Sequence, residues 1–126
     1  MEIKQFDIWL ADLNQSIGTK PRKTRPVVIV QTNLLNDVHF SSLICPITTN
    51  IKLEIDLLRV HLNTNQLDKT SDILVDQIRV IDNKRLLKKL SKLTKEQQEK
   101  LRSNLKIVMD IELHFLKIIP NIAQAC

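Results

Sequence analysis

D-I-L-V-D-Q-I-R-V-I-D (Asp72–Asp82), running straight into N-K-R-L (Asn83–Leu86), is the stretch on which the fold turns. It is rich in Ile and Val, as strands are, yet its apolar phase slips half-way along. Strand side chains alternate between faces, so Ile73 and Val75 share one face while Ile78 and Val80 share the other. A flat two-layer sheet does not accommodate such a slip, whereas a twisted or bulged strand wrapping a small barrel does. Asp76, Gln77 and Arg79 sit at the slip. Polar residues that break a local pattern concentrate where function is.

Upstream, further strands are expected. Phe6–Leu13 (F-D-I-W-L-A-D-L) reads as the first, and Val27–Val30 as a short strand buried on both sides. Between them lies a loop signalled by Asn14, Ser16, Gly18 and Pro21, carrying Lys20, Arg22 and Lys23. Asn33–Ser42 is polar and reads as a connection. Leu43–Thr48 (L-I-C-P-I-T) is a strand whose Pro46 implies an edge or a bulge. Leu53–Leu62 has the composition of one or two more strands. Downstream the character changes. Lys84–Lys92 reads as a short basic helix, and Thr94 with Gln97 has the spacing of a capping box. Leu101, Leu105, Val108, Ile111, Phe115 and Ile118 then recur at helical spacing, with Pro120 as the stop. The fold class is mainly β (α+β): a small antiparallel barrel with a short basic helix and a C-terminal helix.

With 126 residues the chain is one domain, 1–126. A net charge of +5 favours a polyanionic partner, nucleic acid before an acidic protein. Aromatic residues are 3% and Tyr is absent, which argues against a stacking platform for single strands. No apolar run approaches the roughly 20 residues a membrane helix needs, and the N-terminus lacks the apolar core of a signal peptide. Cys45 and Cys126 have neither metal nor redox spacing. A reduced, cytoplasmic protein without cofactor is expected.

The polar candidates fall in three places. Arg25 joins the basic loop to the strand that follows, Thr48 and Thr49 close L-I-C-P-I-T-T, and Asp76, Gln77 and Arg79 mark the slip. Arginine, hydroxyl and carboxylate together suit cleavage of RNA by its own 2′-hydroxyl. That reaction needs a base for the proton, a donor for the leaving 5′-oxygen and positive charge on the phosphorane, and it requires no metal. Each residue also has a plainer reading. Arg25 can pair with Asp7 or Asp12, Thr48 suits any strand, and Asp76 can bond Arg79 or a backbone amide. Gln77 and Arg79 can stabilise a dimer. Lys20, Arg22 and Lys23 can be a solvated loop, or can neutralise RNA phosphates. His39, His61 and His114 are scattered, and no motif pairs them.

F-D-I-W-L-A-D-L, T-R-P-V-V-I-V, C-P-I-T and V-D-Q-I-R-V-I-D-N-K-R-L occur in the order and spacing of the MazF/PemK/Kid toxins. The chain resembles that family over about residues 5–110, leaving a C-terminal extension at about 112–126. The resemblance implies an SH3-like barrel and a homodimer. It implies a sequence-specific, metal-independent endoribonuclease that acts on single-stranded RNA and leaves a 2′,3′-cyclic phosphate and a 5′-OH. It also implies a cognate antitoxin that blocks the RNA groove. Arg25 matches the catalytic arginine, Thr48 the phosphate-contacting threonine and Asp76 an acidic position used as base in some members. Gln77 and Arg79 match the motif and line the groove. Three positions depart from the pattern: Phe6 replaces a usual Gly, Lys20 a common loop Glu, and Leu74 an Arg found in some members. Those departures keep two alternatives in view, a CcdB-like gyrase-binding toxin on the same fold and an inactive antitoxin-binding homologue.

Overall fold

The computed structural model describes residues 2–14, 23–52, 54, 57–63 and 66–111. Among the described residues, seven strands and the α-helices α1 and α2 follow one another. They are β1 (Asp7–Asp12), β2 (Thr24–Ile29), α1 (Asn33–Asn36), β3 (Ser41–Thr48), β4 (Arg59–Leu62), β5 (Ser71–Leu74), β6 (Arg79–Asp82), β7 (Leu86–Lys92) and α2 (Lys95–Met109). All strand pairs are antiparallel. The order is β4-β5-β3-β2-β1-β7, with β6 attached to β3.

The phase slip has a structural cause other than a bulge. Asp72–Asp82 is two strands separated by the 3-10 turn Val75–Gln77. Continuing the β5 ladder, in which Ile47 faces Ile73, would set Asp76 opposite Ile44. The β6 ladder sets Arg79 there instead, so three residues are taken up by the turn. Ile73 and Val75 enter one core, and Ile81 enters the other.

Pro46 is not on an edge. β3 is the spine of the sheet, pairing with β2 along one side and with β6 and then β5 along the other. Cys45 and Pro46 fall in the gap between those last two ladders, opposite the 3-10 turn, so the missing proline N–H breaks no pairing there. The Cys45 thiol donates to the Val75 carbonyl at 3.9 Å across the gap.

The expected basic helix at Lys84–Lys92 is a correction. Only Asn83–Arg85 is helical, a single 3-10 turn capped by the Asp82 carboxylate; Leu86–Lys92 is β7, paired along β1. Lys and Leu are good helix formers, but the open edge of β1 offers this segment a complete backbone ladder, and tertiary pairing outweighs propensity. The polar connection after β2 likewise contains the one-turn helix α1.

Val27, Val28 and Ile29 are fully buried because β2 separates the two apolar clusters. Val28, Cys45, Ile47, Ile73 and Val75 face one cluster; Trp9, Ala11, Val27, Ile29 and Ile44 face the other. Leu101 and Leu105 bring α2 onto the first cluster. The helix starts as its sequence requires, with the Thr94–Gln97 capping box formed in both directions. α2 runs to Met109, with Asp110 in left-handed backbone (φ 54°) as its C-cap, and Ile111 is again helical. Phe115, Ile118, Pro120 and the extension at 112–126 lie outside the described residues. No described helix is long and apolar enough to cross a membrane.

Candidate active site

Arg25 and Thr48 belong to neighbouring strands whose register runs Val28 opposite Cys45 and Val27 opposite Pro46. Two residues further in the same register, Arg25 lies across from Thr48. Alternation gives both the sheet face of Val27 and Ile29. Adjacent strands are about 4.8 Å apart, so a guanidinium and a hydroxyl can engage one tetrahedral anion.

Arg25 is half-buried and has no ion pair among the described residues. The carboxylates considered as its structural partners are turned to other groups. Asp7 meets Lys89 at 3.5 Å, and Asp12 accepts from the Asn14 amide at 3.0 Å. The Thr48 hydroxyl oxygen accepts from the Asn50 amide at 3.1 Å. That occupies a lone pair and leaves the hydroxyl proton to be donated elsewhere. Thr49, exposed, lines a pocket of about 450 Å³ together with Pro26, Leu67 and Lys69.

The slip residues are placed differently. Asp76 and Gln77 are exposed on the 3-10 turn, and Arg79 is half-buried opposite Ile44. Val75 bonds Cys45, three residues along β3 from Thr48, which amounts to about 10 Å at 3.3 Å per residue. Asp76 is the next residue along that turn. It makes no bond to Arg79 among the described residues. Its charge is felt by Cys45, whose thiol is pushed up to about 12, chiefly by burial and then by Asp76. That thiol is inert at neutral pH. Lys23 is exposed; Lys20 and Arg22 lie outside the described residues. No cluster of three or more metal-ligating side chains exists among the described residues.

One group escaped the sequence reading. Asp72, on β5, is fully buried and pairs across the sheet with Thr48 on one side and His61 on the other. Its carboxylate accepts from His61 Nδ1 at 2.6 Å, and from Arg59 and the Lys52 backbone amide at 3.0 Å each. Burial alone would raise its pKa, but the hydrogen bonds from His61, Lys52 and Arg59 outweigh burial and hold it below the ordinary carboxylate range. The available signal was Asp72 itself, a carboxylate interrupting an otherwise apolar strand, which demands partners.

The PemK-like, MazF-like toxin family of type II toxin–antitoxin systems matches residues 4–109. Endoribonuclease EndoA of Bacillus subtilis is 31% identical over 114 residues, covering 85% of this chain and 94% of that protein. Among solved structures, a MazE–MazF crystal structure from Deinococcus radiodurans superposes with a TM-score of 0.76 at 17% identity, over 88% of this chain and 98% of that one. A mycobacterial endoribonuclease in complex with its cognate antitoxin gives 0.69 at 16% identity, over 86% and 94%.

Proposed function

The chain belongs to the PemK-like, MazF-like toxins of type II toxin–antitoxin systems and is an endoribonuclease whose partner is an antitoxin; from that premise we propose how it cuts. The substrate is single-stranded mRNA, cleaved at a defined sequence without a metal ion. The 2′-hydroxyl attacks the adjacent phosphate, the bond to the 5′-oxygen breaks, and the products carry a 2′,3′-cyclic phosphate and a 5′-OH. Arg25 stabilises the charge of the phosphorane and assists the leaving oxygen, and Thr48 donates to a non-bridging oxygen. Asp76 is the base for the 2′-hydroxyl proton, and Gln77 and Arg79 contact nucleotides flanking the cut. Thr49 borders the path of the strand, while Lys20, Arg22 and Lys23 neutralise backbone phosphates. The reaction takes place in the cytoplasm, and the working form is a homodimer.

The observation that carries this reading is the Arg25–Thr48 register, with an arginine that has no carboxylate partner among the described residues. The test is incubation of purified protein with a long single-stranded RNA in excess EDTA. Wild-type protein is expected to release fragments ending in cyclic phosphate. Arg25→Ala is expected to lose at least ~100-fold in rate while keeping its circular dichroism and melting temperature. Undiminished cleavage by that variant would remove Arg25 from the mechanism.

A further inference from the structure

We infer that the pocket walled by the 66–69 turn holds a base flanking the cut, and that Asp68 on its rim selects one carrying an exocyclic amino group. The inference rests on the cleavage reading above and names a determinant of its sequence specificity.

The pocket begins where the anion pair ends. Pro26 follows Arg25 directly and Thr49 follows Thr48, and both Pro26 and Thr49 line the cavity of about 450 Å³. Alternation turns them to the sheet face opposite Arg25 and Thr48, so the pair and the pocket lie on two sides of one sheet end. That end is open. The β2–β3 ladder stops at Val27 opposite Pro46, and no further β2–β3 pairing follows among the described residues. Arg25 and Pro26 border the unpaired end on one side, Thr48 and Thr49 on the other. The step from pair to pocket is one residue along either strand, about 3.3 Å. An RNA strand whose phosphate sits between Arg25 and Thr48 can turn a neighbouring base over that end.

The walls suit a base. Leu10, Pro26, Leu67 and Leu90 are half-buried, so apolar side chains line the cavity without closing it. They take the faces of a base out of water, and the volume falls within the range of ligand pockets. The turn that forms one wall is fixed before any ligand arrives. Gln66 donates to the Lys92 carbonyl at 2.9 Å and accepts from the Gln97 side-chain amide at 2.8 Å. The Ser71 hydroxyl donates to the Lys69 carbonyl at 2.9 Å. β7, the turn and α2 are thus tied together, and little ordering cost remains to be met on binding.

The rim supplies the selection. Asp68 and Lys69 are exposed at the edge of the pocket, and neither side chain has a hydrogen bond or ion pair among the described residues. A carboxylate only accepts and an ammonium only donates. Asp68 takes the amino group of adenine, cytosine or guanine, and Lys69 a ring nitrogen or carbonyl beside it. Uracil has no amino group, and its one imino N–H stands between two carbonyl oxygens that repel a carboxylate. An unfilled end of the core would leave the same apolar walls, and the sequence profile of the cuts separates the two readings.

The experiment sequences the 5′ ends released in EDTA from a randomised single-stranded RNA pool by wild-type protein and by Asp68→Ala. Wild type is expected to disfavour uracil at least ~5-fold at one position adjoining the cut. Asp68→Ala, with its circular dichroism unchanged, is expected to lose most of that preference while the other positions keep theirs. A synthetic RNA of the preferred sequence then has the amino group deleted from that base alone. Wild type is expected to lose at least ~5-fold in kcat/KM on it, and Asp68→Ala to cut both RNAs equally well. Uracil accepted at every position adjoining the cut would overturn the inference. So would an Asp68→Ala profile identical to wild type, or effects of the amino group and of Asp68 that simply multiply. An unchanged profile with weaker antitoxin binding by Asp68→Ala would give the pocket to that partner and overturn it as well. If wild-type protein and Arg25→Ala are equally inert towards RNA, the cleavage reading fails and this inference falls with it. Cleavage lost in Arg25→Ala beside an unaltered profile in Asp68→Ala overturns this inference alone.

Discussion

Phe6 shows how one residue can be read in two ways. In the family pattern its position is a Gly, and here its backbone is left-handed, with φ 72°. The Asp7 amide bonds the Lys4 carbonyl at 3.1 Å, closing a turn whose third residue favours Gly. Phe6 tolerates that conformation because its ring is buried in the larger core and stacked under the Arg102 guanidinium, 4.7 Å from the ring centre. A left-handed non-Gly residue costs about 1–2 kcal/mol, and removing a buried Phe costs about 3–5 kcal/mol. Phe6→Gly is therefore expected to destabilise the protein by about 2 kcal/mol in urea denaturation, and a stabilised variant would show that backbone strain dominates. At this scale Arg25 and Thr48 were legible because each lies in a short block with its own signature. The Asp72–His61 hydrogen bond was not, because it crosses a hairpin and no spacing within either strand announces the pair.

Elements were legible where pattern and environment agreed. The capping box of α2 and the doubly buried β2 needed no tertiary information. Asp72–Asp82 announced an irregularity in its phase but not its form, since a bulge and a 3-10 turn leave the same trace in sequence. β7 went unread because lysines and leucines carry no strand signal until an edge is present to pair with. The β4–β5 hairpin makes a further prediction. Asp72 joins it to the Lys52 amide through bonds that require the ionised carboxylate. Its folded pKa lies below the unfolded value of about 3.9. The stabilisation is therefore complete above that value and is lost as pH falls through the lower, folded one. Wild-type melting temperatures are expected to fall more steeply below pH 4 than those of Asp72→Asn, which starts lower at pH 7. Parallel curves for the two proteins would show that Asp72 contributes nothing to acid stability.

For the whole molecule, the exposed apolar residues matter most. Phe40 is 91% exposed, Leu34 86% and Val38 69%, all within or beside α1 and the start of β3, while Val80 on β6 is 61% exposed. Monomeric surfaces rarely leave so many large side chains in water together. A second copy of the chain would cover them, in keeping with the proposed homodimer. Phe40→Asp is expected to shift the mass measured by light scattering from dimer to monomer while leaving the circular dichroism spectrum unchanged. A dimer of undiminished affinity would place the interface elsewhere.

From the sequence alone come the class of fold, the family, and the proposed anion-binding pair of Arg25 and Thr48, because alternation, capping and short polar blocks are local properties that survive without neighbours. Only the folded sheet could decide the rest. The 3-10 turn that accommodates Pro46, the strand made of lysines, and the row that runs from Arg25 through Thr48 and Asp72 to His61 all depend on register. Register is set by which backbone lies alongside which, and a linear chain does not carry that information at any one position.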